Sequence, residues 1–309
     1  MHTLYLGRLN ISENLYLAST YKAVLNKVAK SALVKAELQL STKVISISSK
    51  PTTPHHSSLD VTTTCDKTQT FDEVIVTCPL GWLKRNTSSF SPTLPSRIIR
   101  SIKDISYGRL EKVYLTFPGA FWLSDSESGV ATEPFFSNFL APTYTDQNPK
   151  HWTVEFVSLA SLPEHCAHAT LLFYIHGPCA EHVTSLINGL DPTSRDVHDR
   201  LDKFFAPYYT RLPGYDSSSE KCKPSNIIAT NWQNDEFAGY GSYTTFQTSS
   251  AEDNVQLDKD IEALREGCPE RGLWFAGEHT APFVALGTTT GAYWSGEAVA
   301  ERVAAAYGM

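Results

Sequence analysis

A strand, an acid and a helix start follow one another near the end of the chain, within the segment LWFAGEHTAPFVALGTTTGAYWSGE (273–297). The run Leu273–Ala276 is apolar enough for a buried strand, which Gly277 ends just before Glu278. A helix that starts at Thr290-Gly291-Ala292 would present unpaired backbone N–H groups. Ligands of open α/β sheets bind at the carboxyl ends of strands. This pattern indicates a ligand that has hydroxyl groups for the acid and a charge that becomes negative near the N–H groups.

The same residues have a plainer interpretation, in which Gly277 is only a turn and Glu278 only a solvated acid. A second cluster also has chemical potential, because imidazole and thiolate groups bind zinc. Its six members lie within 18 positions: His165, Cys166, His168, His176, Cys179 and His182. Their spacing matches no known zinc pattern, and the apolar run 171–175 passes through it, so we expect no metal site. The motifs G-x-S-x-G and H-E-x-x-H are absent.

The composition excludes several classes of protein. A chain of 309 residues with 41% hydrophobic and 19% charged residues is typical of one or two globular domains. Its net charge is -7 and it has no run of Lys and Arg, so we expect no nucleic-acid partner. No window approaches a membrane span, so we expect no membrane association. Six cysteines without C-x-x-C indicate reduced thiols and an intracellular, cytoplasmic location, while the oligomeric state stays open.

Periodic hydrophobic patterns predict the elements that would position these groups. After a cap at Ser19, apolar residues recur at helical spacing through Val28, which predicts an amphipathic helix over 19–30. Strands are predicted over 44–47, 59–64 and 71–77, and Val74–Val76 is apolar enough to be buried on both faces. The Ser/Thr/Pro-rich stretch 86–100 then predicts a crossing between domains.

The remaining patterns predict a second domain and a return to the first. Alternating runs predict strands over 112–117, 152–156 and 171–175, and a helix over 193–206. A helix capped by Ser250 and ended by Gly267 follows, then the strand 273–276 and a helix over 291–306. The small-residue face of this last helix should pack on a sheet: Ala292, Gly296, Val299, Ala300, Val303 and Ala304. We predict domain limits of 1–88, 89–248 and 249–309.

The C-terminal segment resembles the FAD-binding signature of the flavin-dependent amine oxidases, in particular the polyamine oxidases, with GEHT, a loop and GAY-x-SG. The stretch FDEVIVTCPLGWLK (71–84) resembles the strand and turn that re-enter the family's flavin domain, and 43–45 resembles the strand whose valine backbone meets adenine. GRLEKVYLTFPGAFW (108–122) is similar to the strand that bears the active-site lysine, here Lys112. Trp232 and Gly241-Ser242-Tyr243 resemble the element that lines the flavin.

The resemblance implies an α/β protein with an incomplete FAD-binding Rossmann-like domain and an inserted α+β substrate domain. It implies FAD as cofactor and the oxidation of a polyamine-type amine by O2 to an imine or aldehyde and H2O2. Lys112 would be the catalytic residue and would hold a water. The implied cofactor-binding residues are Val44, Cys78, Trp232, Tyr243, Gly277, Glu278, Thr289, Thr290, Gly291 and Ala292.

The sequence departs from the family at two places. The phosphate-binding turn G-x-G-x-x-G is absent, and about three lost hydrogen bonds of ~1.5–3 kcal/mol each would reduce FAD affinity roughly 10³–10⁴-fold. Thr288 stands where many members have an aromatic residue, for which Tyr114, Phe283 or Tyr243 could substitute. Two alternatives therefore stay open: a non-catalytic, truncated amine-oxidase-like binding module, and another member of the superfamily, such as an L-amino acid oxidase or a histone demethylase-like protein.

Overall fold

The computed structural model describes residues 20–53, 56–123, 136–245 and 257–309, which form a mixed α/β protein with several sheets. The helices are α1 (Tyr21–Leu33), α2 (Leu80–Arg85), α3 (Ser96–Asp104), α4 (Gly177–Ile187), α5 (Arg195–Tyr209), α6 (Leu257–Glu266) and α7 (Thr289–Ala306). The strands are β1 (Val44–Thr53), β2 (His56–Thr63), β3 (Thr68–Phe71), β4 (Val74–Val76), β5 (Phe90–Ser91), β6 (Ser106–Tyr107), β7 (Leu110–Thr116), β8 (Phe136–Phe139), β9 (Val154–Ser158), β10 (Thr170–His176), β11 (Asn226–Ala229), β12 (Thr244–Thr245) and β13 (Leu273–Phe275).

One hydrophobic core joins elements from both ends of the chain. Strands β1 to β3 form an antiparallel meander, with β5 parallel to β1 at its edge. Helix α3 packs against α6, and Ile98 and Ile102 lie in the same core as Leu59, Leu264 and Leu273. Beside this core β4 and β13 form a parallel pair, which brings the segment after Val76 next to the segment after Phe275. This pair therefore positions the acid that was singled out in the sequence.

A second core lies under a five-stranded antiparallel sheet with the order β11-β7-β10-β9-β8. Residues of β7 alternate between buried and half-buried, because successive side chains of a strand point to opposite faces. Val113 and Leu115 face α4 and α5, which cover one side of the sheet. Lys112 and Tyr114 therefore lie on the other face, which we call the open face.

Most of the predicted elements are confirmed, including α1, β7, β9, β10, α5, α6, β13 and α7. Helices α2, α3 and α4 were not predicted. Helices α2 and α3 lie in stretches rich in turn residues. The predicted caps Ser19 and Ser250 lie outside the described residues. The domain limits stay predictions. Among the described residues, no helix combines the length and the hydropathy that a membrane crossing requires.

Three predictions about these elements were wrong. The strand 71–77 is two strands, because the chain turns at Asp72 and Glu73 and β4 leaves the meander. Strand β4 is not buried on both faces: Ile75 is 42% exposed, because its side chain lines an open cavity instead of packing against another element. In α7 the buried face is Gly291, Ser295 and Val299 rather than the predicted one, in which Ala292, Gly296 and Ala300 are exposed.

Helix α1 forms as predicted, but its apolar stripe is not buried. Tyr21, Val24, Leu25 and Val28 are between 40% and 65% exposed, and no residue of α1 is buried. The hydrophobic period thus identified the helix but not its packing partner within the described residues.

Candidate active site

The segments after β4 and β13 enclose a hollow of about 340 Å³ together with the segment 232–242. Its lining includes Gly277, Glu278, Ala292 of α7 and Trp232. Thr77 and Pro79 also line a larger, mostly apolar cavity of about 730 Å³, so the two cavities adjoin. Parallel pairing of β4 and β13 explains the convergence, because both strands end at the same edge.

One carboxylate oxygen of Glu278 accepts hydrogen bonds, and the other has none. Its Oε1 accepts hydrogen bonds from the Thr244 hydroxyl at 2.8 Å and the Thr244 amide at 3.1 Å. Its Oε2 is buried and has no hydrogen-bond partner within the described part of the chain. Burial raises the pKa of the Glu278 carboxyl above its usual value, more than the bonds from Thr244 lower it. A buried, unpaired acceptor at a cavity wall is suited to a ligand hydroxyl.

Two further titratable groups line the hollow, and the sequence reasoning assigned a role to neither. His279 is 1% exposed, its Nε2 has no partner among the described residues, and burial lowers its pKa to about 4. The ring is therefore neutral near pH 7. Tyr107 donates its hydroxyl to the carbonyl of Ala238 at 2.6 Å, and burial, with the nearby Glu278 charge, raises its pKa to about 12. His279 lies inside the GEHT motif and Tyr107 lies just before GRLEK. Their position next to these motifs was the signal in the sequence that could have identified them as site residues.

The start of α7 offers fewer donors than the sequence indicated. Thr288 is the N-cap, and its hydroxyl accepts from the amide of Gly291 at 2.9 Å. Gly291 is also pressed against the loop before the helix, since a Cβ there would lie 2.0 Å from the Ala285 carbonyl oxygen. The amides of Thr289 and Thr290 have no partner within the described residues. They are the first-turn groups that stay available to a ligand.

Lys112 lies close to Trp232, an aromatic residue that lines the hollow. Its Nζ is 6.0 Å from the centre of the Trp232 ring and 5.7 Å from that of Tyr174. The backbone amide of Lys112 donates to the Thr230 hydroxyl at 2.8 Å, which fixes the segment carrying Trp232 against β7. The sequence-predicted lysine and tryptophan are thus brought together, with Lys112 half-buried.

A buried acid beneath Lys112 orders the same segment. Glu111 is 1% exposed, accepts from the Thr230 hydroxyl at 2.5 Å and accepts from the Gln233 amide at 2.9 Å. Both contacts flank Trp232, so Glu111 positions that ring. Sequence reasoning missed Glu111, because an acid next to a lysine on a strand carries no sign of which face is buried.

The other predicted site residues lie in neighbouring places. Val44 and Cys78 line the larger cavity, and burial raises the pKa of the Cys78 thiol. Gly241 and Ser242 line the hollow, whereas Tyr243 lies against the Gly287 loop, 3.1 Å from where a Cβ of that glycine would be. Six of the ten predicted cofactor residues therefore line one of the two adjoining cavities, whereas Tyr243, Thr289, Thr290 and Gly291 line neither, and the roles of all ten stay predictions.

The histidines and cysteines of the alternative cluster do not converge. In the described ranges no three His, Cys, Asp or Glu side chains come together as metal ligands. His182 instead packs its ring against Trp152 and Phe204, and His176 contacts Glu155. Cys166 and Cys179 are buried as free thiols.

Comparison with known proteins gives a family. The family model described as "Flavin containing amine oxidoreductase" matches residues 4–304. The chain belongs to the flavin-containing amine oxidoreductases. Polyamine oxidase 3 of Oryza sativa subsp. japonica is 27% identical over 285 residues, which are 91% of this chain and 48% of the relative. Protein FLOWERING LOCUS D of Arabidopsis thaliana is 29% identical over 210 residues, 68% of this chain and 22% of the relative.

Two further similarities extend the family. A lysine-specific histone demethylase 1B homolog of Caenorhabditis elegans is 32% identical over 229 residues, 73% of this chain and 24% of that protein. A solved putrescine oxidase variant, made in a redesign of cofactor binding, has a TM-score of 0.62 at 16% identity. It matches 90% of this chain and 51% of its own, and shows the fold. This oxidoreductase chain thus spans about a quarter to a half of the length of these relatives.

The residues of this amine oxidoreductase fit a flavin. The unpaired Oε2 of Glu278 would suit a ribityl hydroxyl, and the amides of Thr289 and Thr290, which lie at the helix start outside the lining of the hollow, would suit an anionic ring edge. Trp232 adds an aromatic side chain to the lining of the hollow. These roles stay predictions.

Proposed function

We propose that this protein oxidises a polyamine-type amine with O2 to an imine or aldehyde and H2O2, with FAD as cofactor. The observation that carries the proposal is the convergence of Glu278, Trp232 and α7 on one hollow, with Lys112 at its border. FAD, when bound, would supply a two-electron acceptor for the hydride of the carbon beside the amine nitrogen. Together with the proton that the nitrogen loses as the C=N bond forms, the two electrons and two protons would leave with O2 as H2O2.

The side chains of this protein would bind and orient the cofactor and the substrate. Glu278 would hold a hydroxyl through Oε2, and Trp232 and Tyr107 would contact the ligand as part of the lining of the hollow. The Nζ of Lys112 lies within 6.0 Å of the centres of two aromatic rings, where it can donate to a water and pass a proton at that atom. Because the neutral amine is the form that loses hydrogen, a nearby Lys112 cation also disfavours protonation of the reacting nitrogen.

Turnover of purified protein with added FAD and spermidine tests this function, with H2O2 release as the readout. Lys112→Met should lower kcat by about 10²-fold, the lower range for loss of a proton-transfer group. Lys221→Met, which removes an exposed lysine far from the hollow, is the matched control and should leave the rate unchanged. Absence of H2O2 from a flavin-loaded wild-type protein would contradict the proposal.

A second candidate function is a non-catalytic binding module. The apolar stripe of α1, which is exposed among the described residues, favours it, since it is a surface on which another chain can pack. If this function holds, Lys112→Met leaves the cellular effect of the protein intact, while Leu25→Lys abolishes it. The opposite pattern, with loss on Lys112→Met alone, supports the enzyme instead.

A further inference from the structure

The open face of the five-stranded sheet carries a second group of polar and aromatic side chains, outside the hollow. Strand register places Lys112 opposite Tyr174, Tyr174 opposite Glu155, and Glu155 opposite Asn138. The four residues form one row across β7, β10, β9 and β8. Since neighbouring strands are ~4.8 Å apart, about 10 Å separates the backbones of Lys112 and Glu155. The row therefore leads from the border of the hollow to an acid.

A cavity of about 250 Å³ opens at the acid end of this row. Phe136 and Tyr174 supply aromatic walls, and Asn138, Glu155 and His176 supply polar groups. The Oε1 of Glu155 lies 3.3 Å from the Nε2 of His176. The Glu155 side chain is 45% exposed, so a ligand can reach it.

This combination suits an alkylammonium group. A carboxylate forms charge-assisted hydrogen bonds with a protonated amine, and aromatic faces attract the same cation. A methylene chain that lies along the row would cover Tyr174, which both Lys112 and the cavity contact. Lys112 disfavours a second cation at its end of the row. The protonated amino group of a diamine therefore binds most favourably at the other end, beside Glu155.

We propose that the Glu155 cavity is a subsite for the distal, protonated amino group of a di- or polyamine whose other end lies beside Lys112. The inference rests on the proposed function, since it places the substrate on the same sheet face. It makes Glu155 a specificity-determining residue that separates diamines from monoamines of equal length.

Calorimetric titration of the FAD-supplemented full chain with 1,8-diaminooctane and n-octylamine tests this subsite. The wild type should bind the diamine about fivefold more tightly, the gain typical of a half-exposed charge pair. Glu155→Gln should remove the difference and leave n-octylamine affinity unchanged. Glu220→Gln, at an exposed glutamate outside this cavity, is the matched control and should keep the fivefold preference. Asn138→Asp adds a carboxylate to the cavity and should increase the preference at least twofold.

Equal affinity of the wild type for both amines, or a preference that survives Glu155→Gln, would overturn the subsite. If Glu155→Gln fails to fold by circular dichroism, an unchanged preference in Asn138→Asp overturns it instead. H2O2 release is measured separately. A diamine preference that depends on Glu155, without any H2O2 release, would contradict the proposed oxidation and support the subsite. H2O2 release without such a preference would support the oxidation and contradict the subsite.

Discussion

The buried carboxylate of Glu111 shows how a residue that meets no ligand can set the geometry of a site. It ties Thr230 and Gln233 to β7, and Trp232 lies between them. Removal of the carboxylate would take the acceptor from the half-buried Gln233 amide and would leave the Thr230 hydroxyl with the longer contact, 3.4 Å, to the Lys112 carbonyl. The position of the tryptophan ring therefore depends on a residue on the opposite face of the strand from Lys112.

We expect Glu111→Ala to lower the free energy of unfolding by about 1–3 kcal/mol, because two half-buried donors lose the carboxylate that accepts from them. Glu111→Gln keeps one carbonyl acceptor and should recover part of that loss. Urea unfolding followed by tryptophan fluorescence measures both. A Glu111→Ala protein as stable as the wild type would show that the clamp does not hold the Trp232 segment.

Glu278 should make stability depend on pH in the unusual direction for an acid. Burial raises its pKa in the folded protein above the usual value of 4.5, so the unfolded chain releases this proton more readily. The contribution of Glu278 to stability is therefore present below pH 4.5 and is lost as the pH rises through the folded-state pKa. Glu278→Gln cannot ionise, so its stability relative to the wild type should be greater at pH 7 than at pH 4.

Thermal unfolding of both proteins at the two pH values checks this expectation, and a difference independent of pH would contradict it. The stabilising effect at pH 7 should come with weaker flavin binding, because the amide offers one donor where the carboxylate offered an acceptor. Stability and ligand binding thus oppose each other at this residue.

At the scale of elements, the register of strands and the placement of helix starts bring the site together. Patterns along the sequence predicted β7, β13 and α7 well, because each has a strong hydrophobic period or a clear stop residue. They misjudged which face of α7 is buried, since Gly291 and Ser295 are not apolar and carry no periodic signal. They also could not show that Thr288 occupies the Gly291 amide, because side-chain caps depend on local geometry.

Two glycines of α7 offer a matched test of this packing. Gly291→Ala should destabilise the protein by about 1–3 kcal/mol, because the new Cβ would overlap the Ala285 carbonyl oxygen. Gly296→Ala meets nothing within 4 Å and should stabilise the helix by about 0.5–1 kcal/mol. Denaturant unfolding measures both. Equal effects of the two substitutions would contradict the close approach at Gly291.

At the scale of the whole molecule, apolar surface lies exposed on α1 and at β4. The sequence predicted α1 only as an amphipathic helix, whereas β4 was predicted to be buried on both faces, because a hydrophobic period reports a preference for burial rather than a partner. Such surface favours contact with another protein surface.

We expect the purified protein to associate with itself at tens of micromolar concentration through this α1 stripe. Leu25→Lys places a charge in the stripe and should shift the protein toward the monomer. Asn26→Lys adds the same charge to the opposite side of α1 and should leave association unchanged. Sedimentation velocity distinguishes these cases, and a wild type that stays monomeric throughout would contradict the expectation.

Binding of FAD to the purified chain tests most directly whether the hollow beside Glu278 holds a flavin. Quenching of flavin fluorescence on titration should give saturable binding with a visible absorption band, and Glu278→Ala should raise Kd about tenfold through loss of a charge-assisted hydrogen bond. Glu270→Ala, outside the hollow, should leave Kd unchanged. A protein that takes up no FAD, or whose Kd is indifferent to Glu278, would contradict the assignment of this site.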